Sequence, residues 1–359
     1  MQFKSILAKQ IVVTRHSNRI LSIFTVLGFC SLALHSATAY GTNANIGSKI
    51  PDYIIQYSGA NIVSINSAGS IVLKIDSNSS KDIIQLTYDR LHAERGLVGG
   101  TIEIGSGVYI INRPMKFTTP VSLVMQKDTI LKFAPQQHGD VAILSTFAKA
   151  TIHGGVFDCN KAQQIKKYIH GLDIDVGSEG SLITEVKAMN CTTFGDGFVV
   201  KAANTTVTNS EGQYNDGDGI YLKNCDSCRV ENSVFSHNAI NGIDISNEDG
   251  HKHGRDLVYN NSILYNHDGI NLDSTFSNNV TRNNASGNWI GISLYHSTDN
   301  NYYNTLTDNI IKNNQQWGVY EQGLIPSLNP YISGHTTISK NTIVANGHSN
   351  VIKTVGSRV

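Results

Sequence analysis

A five-residue pattern recurs six times between Gly197 and Gln322. The copies are Gly-Phe-Val-Val-Lys (197–201), Gly-Ile-Tyr-Leu-Lys (219–223), Gly-Ile-Asp-Ile-Ser (242–246), Gly-Ile-Asn-Leu-Asp (269–273), Gly-Ile-Ser-Leu-Tyr (291–295) and Gly-Val-Tyr-Glu-Gln (318–322). An earlier copy, Gly-Leu-Asp-Ile-Asp, occupies 171–175. From Gly197 onward the glycines are 22, 23, 27, 22 and 27 residues apart. A period in this range demands a repeat architecture. Each unit is too small to bury an apolar face alone and must stack on its neighbours.

Within a copy the period is two. Apolar residues stand one and three places after the glycine, as in Ile220/Leu222 and Ile243/Ile245, with mostly polar residues between. That alternation is a short half-buried strand. Asn, Asp and Gly flank each copy and supply turns. A second short apolar run, such as Arg229-Val230-Glu231-Asn232, follows in each period. About 22 residues with two or three strands and no helix make one rung of a parallel β-helix. A leucine-rich repeat needs a pattern absent here, and a propeller blade needs about 40 residues.

A solenoid grows by rungs, so 359 residues need not be two globular domains. Lys and Arg number 28, as do Asp and Glu. Lys4, Lys9, Arg15 and Arg19 fall in the first 39 residues, which contain no acid, so the remainder carries −4. Nothing suggests a nucleic-acid surface. The basic start, the apolar run Ile20 to Leu34 and Ala37-Thr38-Ala39 read as a signal peptide over 1–39, leaving a secreted or periplasmic protein with no membrane partner after cleavage. Outside that leader are Cys159, Cys191, Cys225 and Cys228, an even number that suits disulfides of undetermined pairing. Cys225-x-x-Cys228 without a second pair is weak evidence for zinc.

Residues 40–98 read as an extended lead-in followed by one short helix. Ser79-x-x-Asp82 has the form of a capping box, and Ile83, Ile84, Leu86, Tyr88 and Leu91 suit an amphipathic helix to about Arg95. Such a helix would cap the open end of the solenoid, predicted over 99–350. Gly99-Gly100-Thr101-Ile102-Glu103-Ile104-Gly105-Ser106-Gly107-Val108-Tyr109 resembles the opening of the pectate-lyase superfamily domain. Ile152-His153-Gly154-Gly155-Val156-Phe157-Asp158 is similar to a later rung of that family. The resemblance spans roughly 80–345. It implies an all-β, right-handed parallel β-helix among carbohydrate-active lyases, epimerases, hydrolases and non-catalytic members. Fold alone does not choose between these activities.

In-register rungs place equivalent outward residues about 4.8 Å apart. Two places after the glycine the column reads Asp173, Val199, Tyr221, Asp244, Asn271, Ser293, Tyr320. Four places after, it reads Asp175, Lys201, Lys223, Ser246, Asp273, Tyr295, Gln322. Water-facing strand residues are polar anyway, but Tyr221, Tyr295 and Tyr320 on one face favour a surface for a polymer. Two rungs are lengthened, one by 247–255 with His251 and His253, the other just after His296. Both rim one edge of that sheet, where binding groups are expected. Asp173, Asn271, Tyr295, His296, Tyr320, His251 and His253 are therefore candidate substrate contacts.

Lys201 and Lys223 are expected to stack, and like charges would lower the pKa of one. With Tyr221 they could take the C5 proton of a uronate, as a lyase or epimerase acting on an acidic polysaccharide requires. Alternatively, Asp244 and Asp273 stand about 8 Å apart, from about 4.8 Å across and about 6.6 Å along the strands. Inverting glycosidases separate their carboxylates by about 6.5–9.5 Å. Asp244, Asp249 and Asp273 are also candidate Ca²⁺ ligands, though Ca²⁺ needs six to eight oxygens. Asp196, Asp218 and Asp268, immediately before the glycines, read as turn caps. A non-catalytic glycan-binding solenoid remains a third reading. The chain is expected to be a monomer.

Overall fold

The computed structural model describes residues 50–77, 82–137, 139–249, 251, 253–295, 303–321 and 336–352. The proposed leader 1–39 lies outside these residues. Among the described residues no helix is long and apolar enough to cross a membrane.

Three parallel sheets wrap the chain into stacked rungs. Among the described residues sheet A has 13 strands, and sheets B and C have ten each. One rung runs through Arg229–Glu231 in sheet A, Val234–Ser236 in sheet B and Asn241–Ser246 in sheet C. Each strand pairs with its counterpart one rung away, so the sheets are built from sequence-distant neighbours. The glycine-led pattern is sheet C. Its register aligns Leu172, Phe198, Ile220, Ile243, Ile270, Ile292 and Val319 in one row. All of these side chains are buried, and with their counterparts from sheets A and B they form one continuous core.

The leading glycine has a steric cause. A Cβ on Gly219 would stand 2.6 Å from the carbonyl oxygen of Gly242, and one on Gly242 would stand 2.7 Å from that of Gly269. The rungs are too close there for any side chain.

Buried asparagines join the rungs at the corners. Between sheets B and C the backbone N–H of Asn215 donates to Asn238 Oδ1 (3.2 Å), Asn238 to Asn266 (3.0 Å), Asn266 to Asn288 (2.9 Å) and Asn288 to Asn314 (3.0 Å). A second ladder, Asn261–Asn283–Asn309, follows the corner between sheets A and B. An amide carries both donor and acceptor, so it satisfies its own rung and the next.

Three expectations are refined. Residues 53–76, read as an extended lead-in, form an antiparallel meander, Tyr53–Ser58, Asn61–Asn66 and Ile71–Asp76, that heads sheet A. Helix α1 spans Ile83–Arg95 and buries Ile83, Ile84, Tyr88 and Leu91. Its Asp82 makes no cap bond. Asp82 Oδ1 instead accepts the N–H of Asn112 at 2.9 Å, tying the helix to the first rungs. Cysteines pair as Cys159–Cys191, between rungs, and Cys225–Cys228, within one turn.

Candidate active site

A cleft of about 450 Å³ lies on the outward face of sheet C. Val199, which is buried, lies at its floor, Tyr168 and Phe194 stack at 5.4 Å on one flank, and Ile240 stands on another. The outward register of sheet C is the one read from the sequence: Asp173, Val199, Tyr221, Asp244, Asn271, Ser293 and Tyr320 lie strand beside strand. The first four line the cleft.

The lysines are not a like-charged pair awaiting deprotonation. Lys201 Nζ lies 3.0 Å from Asp173 and 3.4 Å from Asp175. Burial alone would lower its pKa, but these carboxylates raise it. Lys223 Nζ pairs with Glu248 at 2.5 Å. The hydroxyl of Tyr221 donates to the same carboxylate, and burial with that bond raises the phenol above its ordinary range. At Lys201 the acids one rung away thus oppose the expected lowering, and Lys223 is ion-paired with the loop acid.

His170 is the centre sequence reasoning missed. Its Nε2 lies 3.2 Å from Asp140 and its Nδ1 3.3 Å from Asp196. Burial opposes its charge, but the two carboxylates lift its pKa to about 9. His170 was within reach. It immediately precedes Gly171, as Asp196 precedes Gly197 and Asp218 precedes Gly219. Extending the pre-glycine column back by one rung finds it.

Asp196, Asp218 and Asp268 were read as caps. Asp196 Oδ1 accepts the N–H of Asp218 (2.7 Å), and Asp218 Oδ1 accepts that of Asn241 (2.7 Å). They do cap, and Asp196 and Asp218 also line the cleft. Asp268 bonds His267 at 2.7 Å. Burial, then the nearby Asp196 and Asp244, push the Asp218 carboxyl well above the usual carboxylate range. Asp244 accepts from Ser246 Oγ (2.7 Å) and Asn271 Nδ2 (2.8 Å). Burial, with Asp273 and Asp196 nearby, raises it to about 7. Asp273 sits on the next strand, opposite Ser246 and beyond the lining of the cleft.

The remaining candidates are dispersed. Tyr295 and Tyr320 meet edge-on at 6.1 Å, three and four strands from Tyr221, so the tyrosines form two groups instead of one. In the 247–255 loop, His253 bonds Asp249 at 3.0 Å, and neither His253 nor His251 lines the cleft. The loop's contribution to the cleft is Glu248. Gln322, His296 and the second lengthened segment lie outside the described residues. Asp244, Asp249 and Asp273 do not converge as metal ligands. Among the described residues the one grouping of three such ligand atoms within 4.8 Å is Cys225, Cys228 and Asp256, whose sulfurs are joined.

Residues 196–358 match the family model described as "Right handed beta helix region". The chain is a right-handed parallel β-helix. No curated protein sequence matches it significantly. Among solved structures it is similar to the A-module of the mannuronan C-5 epimerase AlgE6 of Azotobacter vinelandii. The TM-score is 0.61 at 18% identity, over 76% of this chain and 85% of that one. The Dettilon tailspike protein superposes with a TM-score of 0.50 at 12% identity, over 76% of this chain and 57% of the tailspike. At such identities the likeness is one of fold.

Proposed function

We propose that this β-helix is a secreted carbohydrate-active enzyme that hydrolyses an extended polysaccharide with inversion on the outward face of sheet C, at the edge of its cleft. Asp244 would be the general acid and Asp273 the general base. The observation that carries this reading is the Asp244 carboxyl, raised to about 7 on an open polar groove. A carboxyl still protonated near neutrality can give its proton to a leaving glycosidic oxygen. Asp273, about 8 Å away by strand geometry, leaves room for the attacking water. Asn271, bonded to Asp244, would orient the acid. The two disulfides suit an oxidising compartment.

A second reading, C5 proton abstraction by Lys223 or Tyr221 with Lys201, draws on their shared position at the cleft. C5 epimerisation, named for the AlgE6 module, is of that kind. It is less favoured because the pKa of both Lys201 and Tyr221 is raised, and a base should have a lowered one.

The test is incubation with neutral, amino-sugar and uronate polysaccharides, following reducing ends and ultraviolet absorbance together. New reducing ends of inverted configuration, lost in Asp244→Asn, are the expected result. Unsaturated ends absorbing in the ultraviolet, or solvent deuterium at C5, would transfer the assignment to Lys223. Binding without either would make the solenoid a glycan-binding protein.

A further inference from the structure

We infer that the cleft selects a glycan bearing free ammonium groups, an N-unsubstituted hexosamine polymer, over a uronate polymer. The inference rests on the proposal that the cleft binds a polysaccharide and names which one. Three observations carry it.

Among the described residues every cation lining the cleft is already engaged. His170 lies between Asp140 and Asp196, Lys201 between Asp173 and Asp175, and Lys223 against Glu248. A uronate carboxylate entering here would meet a protein carboxylate already beside each cation it approached. The acids also outnumber the cations. Those three partner sets hold five carboxyl groups, and Asp218 and Asp244 bring more, in a site open enough to receive a chain. Finally, the cleft's buried atom without a partner is an acceptor. Asp173 Oδ1 makes no hydrogen bond, although Oδ2 of the same group holds Lys201. A buried acceptor in that state calls for a donor, and an ammonium supplies three N–H groups and a compensating charge.

The alternative physical route to a uronate is a bridging divalent cation between the acids and the sugar carboxylate, so the experiment includes it. Tetrasaccharides of glucosamine, N-acetylglucosamine and galacturonate would be titrated into the protein by calorimetry at low salt, each with and without Ca²⁺. The glucosamine tetramer should bind at least about tenfold tighter than its acetylated form, with the advantage shrinking as salt screens it. The galacturonate tetramer should be weakest under both conditions. Asp173→Asn should remove the preference for the free amine while retaining affinity for the acetylated tetramer. Equal binding of the amino and acetylated tetramers overturns the inference and leaves the glycan reading standing. Galacturonate binding as tight as glucosamine, with Ca²⁺ or without, overturns the inference in the same way. Failure of all three tetramers to bind overturns both.

Discussion

At the corner between sheets B and C, Asn215, Asn238, Asn266, Asn288 and Asn314 repeat one neutral side chain through five rungs. A few residues further on, before the glycine of each rung, the equivalent series is His170, Asp196, Asp218, Asn241, Asp268, Ile290 and Trp317. Both columns use side-chain oxygens to receive backbone N–H groups from a neighbouring rung. They differ in what else they can do. An amide donates as well as accepts, so Asn238 Nδ2 reaches both Gly212 O and Asn266 Oδ1 and leaves nothing over. A carboxylate only accepts. A stack of them is tolerable when a cation intervenes, as His170 does, or when burial and neighbouring acids raise a carboxyl's pKa, as at Asp218. The uniform column serves stability. The mixed one carries unspent chemistry, and it borders the cleft.

The comparison breaks most visibly at Asn266. Replacing it with Ala removes the acceptor of Asn238 N–H and Nδ2 and the donor to Phe235 O and Asn288 Oδ1. Several buried groups are then unpaired, each costing about 1–3 kcal/mol, so thermal unfolding should show a loss of roughly 4 kcal/mol or more. Activity per folded molecule should be unchanged. Asp244→Asn should do the reverse. Turnover on the glycan falls by about 10²- to 10⁴-fold, the usual worth of a general acid, while melting is held or improved because a buried acid is gone. In the unaltered protein the rate should fall as pH rises through about 7, where Asp244 loses its proton. A rate that climbs instead through that range would remove Asp244 from the acid role.

The rungs and the outward columns of sheet C were legible because period two and a near-constant spacing leave one in-register solution. What escaped notice depended on relations between columns or on loops. Lys201 was matched with Lys223 on the next rung, whereas its nearest charges, Asp173 and Asp175, sit one rung back and partly in the other column. Glu248 comes from an inserted segment whose path no period dictates, so the loop's histidines drew attention that belonged to its acid. The 26-residue step from Gly171 to Gly197 hid His170. The asparagines read as turn formers, and their ladders exist only once the rungs stack.

Asp256 tests the comparison within one ladder, for it heads a third column, Asp256–Asn278–Asn304, as an acid among amides. Oδ1 accepts Cys228 N–H at 2.7 Å, while Oδ2 is buried with no partner. Burial lifts the group to about 7. The unfolded chain therefore releases this proton first as pH rises, and stability contributed by the protonated form is lost from about pH 4 to about pH 7. Asp256→Asn should remove that slope and stabilise the protein at pH 8 by a few kcal/mol, on the order expected for relieving an unpaired buried carboxylate. His170 works with the same sign in a higher pH window. Its raised pKa contributes stability present below about 6.5 and lost as pH rises through about 9. Melting curves of both proteins across pH separate the two groups. An unchanged slope in Asp256→Asn would mean the acid is ionised and compensated.

The smallest effect belongs to an outer aromatic column that has the look of a sugar platform but packs ring against ring. Tyr214 and His237 stack at 4.9 Å, and His237 and Tyr265 at 5.1 Å, on the outside of the solenoid. Sugars rest on ring faces, but these faces are turned toward one another along the stack. On the far side of Tyr265 a Cβ at Gly287 would stand 2.8 Å from its ring, so that face is covered by backbone. The stack is therefore the aromatic counterpart of the asparagine ladder. His237→Ala should cost about 0.5–1 kcal/mol, the worth of an aromatic contact, with glycan affinity unchanged. A fall in affinity without loss of stability would put this corner, and not the acidic cleft alone, in contact with the polymer.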